Sequence, residues 1–276
     1  MKRKLLFYYY VTRSALSRFL RRRLVERTEA FVADAYEEAY EKTTNDVFFK
    51  TERAWYFGNE IVQPRIGYKK DLLNIFSEKI RSFEVHSVLE LGCGRGLNLL
   101  ALALLCPSLE KIVGIELSEK GVERAKANIA NPPLVALTFI TGIEKKEILR
   151  KLAMSKIEIV QGSARDLPFA DRSFETVFSN SVIEQFPVDS SIVFKEAARV
   201  SSKIGIFSEP FLEAQRGNIF KILYLGNIDY FKASYKMVRN YGWDILEFKI
   251  PPFQKYEFNT GFLTCIKKEG WDSLSQ

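Results

Sequence analysis

The chain predicts an α/β fold: a doubly wound sheet of seven strands, mostly parallel with an antiparallel last strand, behind an N-terminal helical extension. Three observations carry this. From residue 69 onward, short apolar runs alternate with longer runs of helical spacing. The strand-like runs are apolar throughout, as in a parallel sheet covered on both faces. The last two strand-like runs follow one another with only a proline-marked turn between them, which suits an antiparallel pair.

Residues 1–58 are expected to form the extension and residues 59–276 the α/β domain. The chain has 276 residues and a net charge of +7, and its first 30 residues hold nine Lys/Arg against two Glu. The rest balances, 32 basic against 32 acidic residues. The basic character therefore belongs to the extension, and a nucleic-acid groove spread over the domain is not expected. Leu5, Tyr8, Tyr9, Leu16, Phe19, Leu20 and Leu24 fall near one helical face, with arginines around the rest. Such a helix packs on the domain or on a second copy, as in a homodimer, or lies on an anionic membrane surface through residues 1–27. An Arg-rich, acid-poor start also fits a transit peptide. Cys93, Cys106 and Cys265 are scattered and odd in number, so neither a disulfide framework nor a zinc site is expected, and the setting is cytoplasmic. No window reaches the roughly 18 apolar residues of a membrane span.

The elements follow in order. "KKDLLNIFSEKIRSF" is a helix leading into the first strand, Ser87–Leu91. Lys111–Glu116 is the second strand, and the helix after it begins at a capping Ser118. Residues 131–156 are long for a helix–strand link and contain "EKKEILRKLAM", read as an inserted helix. "IEIVQGS" (157–163), "FETVFSN" (174–180) and "KIGIFSE" (203–209) are strands, the last two separated by the helix "SSIVFKEAARVS". Two helical stretches come next. "WDILEFKI" and "EFNTGFLTCIKK" close the chain around Pro251–Pro252.

Ligands of open parallel sheets bind at the carboxyl ends of the strands. Those ends carry Gly92-Cys93-Gly94-Arg95-Gly96, Glu116, Ser163-Ala164, Asn180-Ser181 and Glu209-Pro210. Glu116 stands 20 residues beyond Gly96, where a carboxylate can accept from both hydroxyls of a ribose. The loop reads G-x-G-x-G, not the dinucleotide G-x-G-x-x-G, and Glu90 stands just before it. A carboxylate there repels a pyrophosphate and attracts an amino group or a sulfonium. That disfavours a nicotinamide cofactor.

"VLELGCGRGLN", "VGIELSEKGVERAKAN", "VQGSARDLPFADRSFETVFSNSVIEQF" and "IGIFSEPF" resemble, in order, the motifs of class I S-adenosylmethionine-dependent methyltransferases, closest to the small-molecule branch. The resemblance covers residues 69–268 and implies a Rossmann-like fold with S-adenosyl-L-methionine as cofactor. It implies that Glu90, Gly92, Cys93, Gly94, Gly96 and Asn98 wrap the methionine half. Glu116 then holds the ribose, Leu117 lies against the adenine, and Ala164 offers it a backbone N–H. Asn180 and Ser181 meet the amino end. At Ser163 the family usually has an aspartate, so the adenine contact is weaker or passes to Asp166.

Positioning alone supplies about 7–11 kcal/mol in such in-line transfers, and a base is needed only for a poor nucleophile. His86, the chain's one histidine, opens the first strand at the far end from the cofactor and reads as structural. Where many relatives place a histidine, this chain has Gln185, which cannot take a proton. Glu209 and Glu184 remain as candidate catalytic bases, Glu209 being expected to face the cleft. No metal ligand cluster is visible, so transfer is expected to be metal-independent. Trp55, Tyr56, Phe57, Phe211, Phe220, Tyr224, Tyr230, Phe231 and Tyr235 are expected to wall the acceptor site or simply to pack the core, and Tyr56 or Arg65 to reach the cofactor's carboxylate. The expected acceptor is a small molecule, glycan or lipid-linked intermediate methylated at oxygen. The competing reading is a catalytically silent, cofactor-binding partner subunit.

Overall fold

The computed structural model describes residues 28–186, 190–227, 230 and 233–270, with Tyr9, Thr12 and Arg13 beside them. The expectation of a membrane-facing helix over residues 1–27 lies, save for those three, outside the described residues, as does Phe231.

α1 spans Glu29–Lys42 and is capped by Thr28, whose hydroxyl accepts from the Phe31 N–H at 3.2 Å. A short 3-10 helix (Asn45–Phe49) leads into β1 (Thr51–Tyr56) and β2 (Asn59–Pro64). The expectation of an all-helical extension fails here. Residues 51–64 form a hairpin whose two-residue turn places Phe57 and Gly58 at φ 48° and 78°, the geometry that matches strand twist. β1 also pairs with β9 (Phe253–Lys255), giving a small sheet of order β2-β1-β9.

α2 (Arg65–Ser82) buries Ile66, Leu72, Leu73, Phe76 and Ile80 along one side. β3 (Ser87–Leu91) then opens the main sheet, followed by α3 (Leu97–Leu105), β4 (Lys111–Glu116) and α4 (Glu119–Ala130). The Ser118 hydroxyl accepts from the Gly121 N–H at 2.9 Å and starts α4 as expected. The predicted single inserted helix is two, α5 (Leu134–Thr141) and α6 (Lys145–Leu152). They are separated by Gly142, which ends α5 in the left-handed conformation at φ 72°.

β5 (Ile157–Gln161), β6 (Phe174–Asn180), α7 (Ser190–Val200) and β7 (Ser201–Glu209) complete the parallel part. α8 (Ile219–Asn227), β8 (Trp243–Lys249), β9 and β10 (Gly261–Lys267) finish the fold. The seven-stranded order is β5-β4-β3-β6-β7-β10-β8, and β10 runs antiparallel to both its neighbours. The antiparallel last strand is therefore as predicted, inserted between β7 and β8. α2 to α6 cover one face through Phe76, Leu99, Ala125 and Leu137. α7 covers the other through Phe194, packed edge-on to Phe207 at 5.1 Å. The order of strand addition reverses between the parallel neighbours β3 and β6, and the crevice opens at that switch point.

Candidate functional site

A cavity of about 270 Å³ lies at the carboxyl ends of β3, β4, β5 and β6. Of the residues predicted from sequence, Gly92, Cys93, Gly94, Asn98, Glu116, Leu117, Ala164, Asn180 and Ser181 line it. The loop after β3 has the backbone its sequence requires. Gly92 and Gly94 sit at φ 61° and 55°, and a Cβ at Gly94 would stand 2.8 Å from the Tyr40 hydroxyl. Gly96, at φ 73°, is the N-cap of α3 and does not line the cavity.

Glu116 closes the loop onto itself. Its carboxylate accepts from the Gly94 N–H at 2.9 Å and the Ser118 N–H at 3.1 Å. Burial pushes its pKa up against those hydrogen bonds. Glu90 stands one side chain behind the lining, 1% exposed. One of its oxygens accepts from the Asn98 amide, and the other is buried without a partner. Burial raises Glu90 to about 8, opposed by Lys69 and Asn98. Lys69, which lines the cavity, donates to the Asn98 Oδ1 at 2.8 Å. Burial lowers the Lys69 pKa, and Glu90 opposes that shift.

The cavity's outer wall is α1. Val32, Ala33, Tyr36 and Tyr40 line it. The Tyr40 hydroxyl is held far above its ordinary pKa by burial and by Glu116, so it is a neutral donor. α1 is fastened across the strand ends at three points. Glu29 pairs with Arg165 at 2.9 Å. Glu37 accepts from the Lys120 backbone N–H at 3.0 Å and so caps α4 from outside. Arg95 lies over the Tyr40 ring at 5.4 Å and donates to the Thr43 carbonyl at 2.9 Å.

Other predicted residues are placed differently. Ser163 faces its own turn, accepting from the Arg165 N–H at 3.0 Å, and neither it nor the exposed Asp166 lines the cavity. Glu209 does not face the cleft. It is fully buried and accepts from the Ser179 hydroxyl at 2.6 Å and from the Val182 and Glu184 N–H groups at 3.2 and 3.4 Å. The reason is the two-residue period of β7, which puts Glu209 on the face of Phe207, beneath the turn after β6. Glu184 is 2% exposed and also lies off the cavity lining. Gln185, by contrast, lines it. His86 sits at the other end of β3, half exposed and 3.4 Å from Glu175.

The expected aromatic wall stands apart from this cavity. Trp55 stacks on Tyr256, Phe211 is a core residue, and Tyr224 and Tyr230 flank Phe258. Arg65 pairs with Glu52 at the surface and does not reach the cavity. Sequence reasoning missed α1 and Lys69. An amphipathic helix shows that it covers something without showing what, and a lone lysine on a helix carries no signature.

Among the described residues no helix is long and apolar enough to cross a membrane. Residues 89–208 match the sequence model of a methyltransferase domain. No curated protein matches the chain. The fold is similar to that of the [4+2]-cyclase SpnF, with a TM-score of 0.63 and 13% identity over 88% of this chain and 97% of that one. It is also similar to the magnesium protoporphyrin IX methyltransferase ChlM of Synechocystis PCC 6803 with bound SAH, with a TM-score of 0.57 and 12% identity over 87% and 100%. A third similar structure is PH0226 of Pyrococcus horikoshii OT3, with a TM-score of 0.53 and 16% identity over 84% and 99%. Residues 89–208 thus carry a methyltransferase domain, set within the Rossmann-like fold that these structures share.

Proposed function

We propose that the protein transfers a methyl group from S-adenosylmethionine to an oxygen of a small-molecule, glycan or lipid-linked acceptor. One observation carries the cofactor half of this reading. A left-handed glycine loop is bracketed by two buried carboxylates, Glu90 and Glu116, and one Glu90 oxygen is left without a partner. An orphaned buried carboxylate oxygen suits a cofactor bearing an ammonium. The residues present fit the group. In this reading Glu116 takes the ribose hydroxyls, Leu117 and Ala164 the adenine, and Glu90 through Asn98 the amino end. Lys69 supplies the positive charge for the carboxylate. When bound, the sulfonium supplies an activated methyl group. The chain's own contribution is placement and exclusion of water, with Tyr36 and Tyr40 of α1 covering the cavity.

Acid–base help is not part of this reading. The titratable groups lining the cavity are Glu116, Lys69, Arg95, Cys93, Tyr36 and Tyr40, and Glu116 is engaged by the loop. Burial holds the Cys93 thiol well above its usual range. Calorimetric titration with S-adenosylhomocysteine tests the cofactor site, and Glu116→Ala should lose most of that binding. Release of S-adenosylhomocysteine from S-adenosylmethionine and a cell extract tests transfer. Binding without release would favour the silent subunit. No binding to the wild type would refute the reading.

A further inference from the structure

Two strands along the sheet from Glu116, the end of β6 and the residue after it bring Asn180 and Ser181 to the cavity. Ser181, directly after β6, lines the cavity in the left-handed region at φ 58°, an uncommon place for a serine. Its N–H is tied to the Ser208 carbonyl at 2.9 Å, which fixes the conformation. Its hydroxyl accepts from the Lys255 ammonium at 2.9 Å. A hydroxyl that accepts from a lysine keeps its own hydrogen to donate elsewhere. Asn180 and Gln185 both line the cavity, and in each the carbonyl oxygen is buried without a partner. A half-turn about the terminal torsion lets either amide present its NH₂ to a bound oxygen.

Lys255 comes from β9 of the small sheet, and its ammonium lies 4.7 Å above the Phe258 ring. Burial works against its charge, but Glu184, Tyr68, Tyr230 and Glu209 together hold its pKa above the ordinary lysine value. The ammonium therefore keeps its charge at neutral pH and polarises the Ser181 hydroxyl that accepts from it.

We propose that Ser181, polarised by Lys255 and flanked by the Asn180 and Gln185 amides, binds an acceptor whose reacting oxygen is already anionic: a carboxylate or an acidic phenol or enol. The inference rests on the methyltransferase reading and moves Ser181 from the cofactor's amino end to the acceptor. It also explains how oxygen can be methylated where Gln185 occupies the expected base position. A lone pair of the anionic oxygen forms the O–CH₃ bond while the S–CH₃ bond breaks and its electron pair stays on sulfur. The negative charge of the acceptor and the positive charge of the sulfonium cancel, and no proton changes hands. Ser181 touches the acceptor, and Lys255 is a positioning residue that acts through it.

The test uses the full chain saturated with S-adenosylhomocysteine and two isosteric probes, benzoate and its neutral amide benzamide. Affinities are read by ligand-observed saturation-transfer NMR. Wild type should bind benzoate about tenfold or more tighter than benzamide, the worth of one charge-assisted hydrogen bond. The ratio should fall toward one in Ser181→Gly, which suits the left-handed backbone, and in Lys255→Met. Lys255→Arg should restore it. Calorimetry with S-adenosylhomocysteine on each variant checks that the fold is intact. A wild-type ratio near one, no benzoate binding, or a ratio unchanged in both Ser181→Gly and Lys255→Met would overturn the inference. Wild type that fails to bind S-adenosylhomocysteine overturns the underlying methyltransferase reading instead.

Discussion

Cofactor binding at this site should release a proton, and Glu90 is its source. In the free protein burial holds the Glu90 carboxyl at about 8. At pH 7 a group with that pKa is protonated in roughly ten molecules for each one ionised. An ammonium arriving beside Asn98 and Glu90 favours the ionised form and pulls the pKa back below neutrality. Binding should then release close to one proton per cofactor at pH 7 and about half a proton at pH 8. The assay is isothermal titration of S-adenosylhomocysteine in phosphate, HEPES and Tris at one pH. The slope of apparent enthalpy against buffer ionisation enthalpy counts the protons. Glu90→Gln should bind more weakly and give a slope near zero. A flat plot for the wild type, or an equal slope for Glu90→Gln, would refute the assignment. The same shift has a stability consequence. An acid whose folded pKa lies above its unfolded value contributes stability below the unfolded pKa, here 4.5, and that stability is lost as pH rises through the folded pKa. The Tm of the free protein should therefore fall between pH 5 and pH 8, and Glu90→Gln should flatten that slope.

Three further outcomes are expected. Gly94→Ala places a methyl 2.8 Å from the Tyr40 hydroxyl at a backbone costing about 1–2 kcal/mol for an L side chain. Cofactor affinity should drop at least tenfold, and adding Tyr40→Phe should recover the steric part; wild-type affinity for Gly94→Ala would contradict this. Lys69→Met should weaken S-adenosylhomocysteine by about 1.5–3 kcal/mol, the range for hydrogen bonds to charged groups, while leaving the benzoate-to-benzamide ratio alone. Equal cofactor affinity by calorimetry would remove Lys69 from the site. Glu209→Gln should lower the Tm by several degrees, at about 2–4 °C per kcal/mol, with turnover falling only as the folded fraction falls. Lost turnover at an unchanged Tm would return Glu209 to the chemistry.

Much of the main sheet was legible because its strands are short apolar runs that end in glycine, acid or amide. Ser87–Leu91, Lys111–Glu116 and Phe174–Asn180 begin and end where the sequence places them. Nine of the predicted binding positions line one cavity for the same reason, since parallel strands deliver their ends to one edge. The β2-β1-β9 sheet was not legible. "TERAWY" mixes charge with aromatics, "NEIVQP" mixes polar residues with a proline, and their partner "FQK" lies some 200 residues away, so no local period marks the pairing. Glu209 was misplaced because a strand end announces the cleft without saying to which face its last side chain points. Lys255 could not be found from sequence, since its neighbour Ser181 is 74 residues distant.

That small sheet has a consequence for how the protein acquires its activity. β1 near the start of the chain and β9 near its end are hydrogen-bonded, and Trp55 donates to the Tyr256 carbonyl across 201 residues at 3.2 Å. Contacts of such separation carry the largest loop-closure cost and form late. On a ribosome the glycine loop, Glu90 and Glu116 emerge long before Lys255 does. A chain shortened before residue 253 would thus keep the residues that grip a cofactor and lack the ammonium that polarises Ser181. The residues proposed to hold the methyl donor and the ammonium proposed to act on its recipient therefore leave the ribosome far apart in time, and the main sheet itself waits for β10.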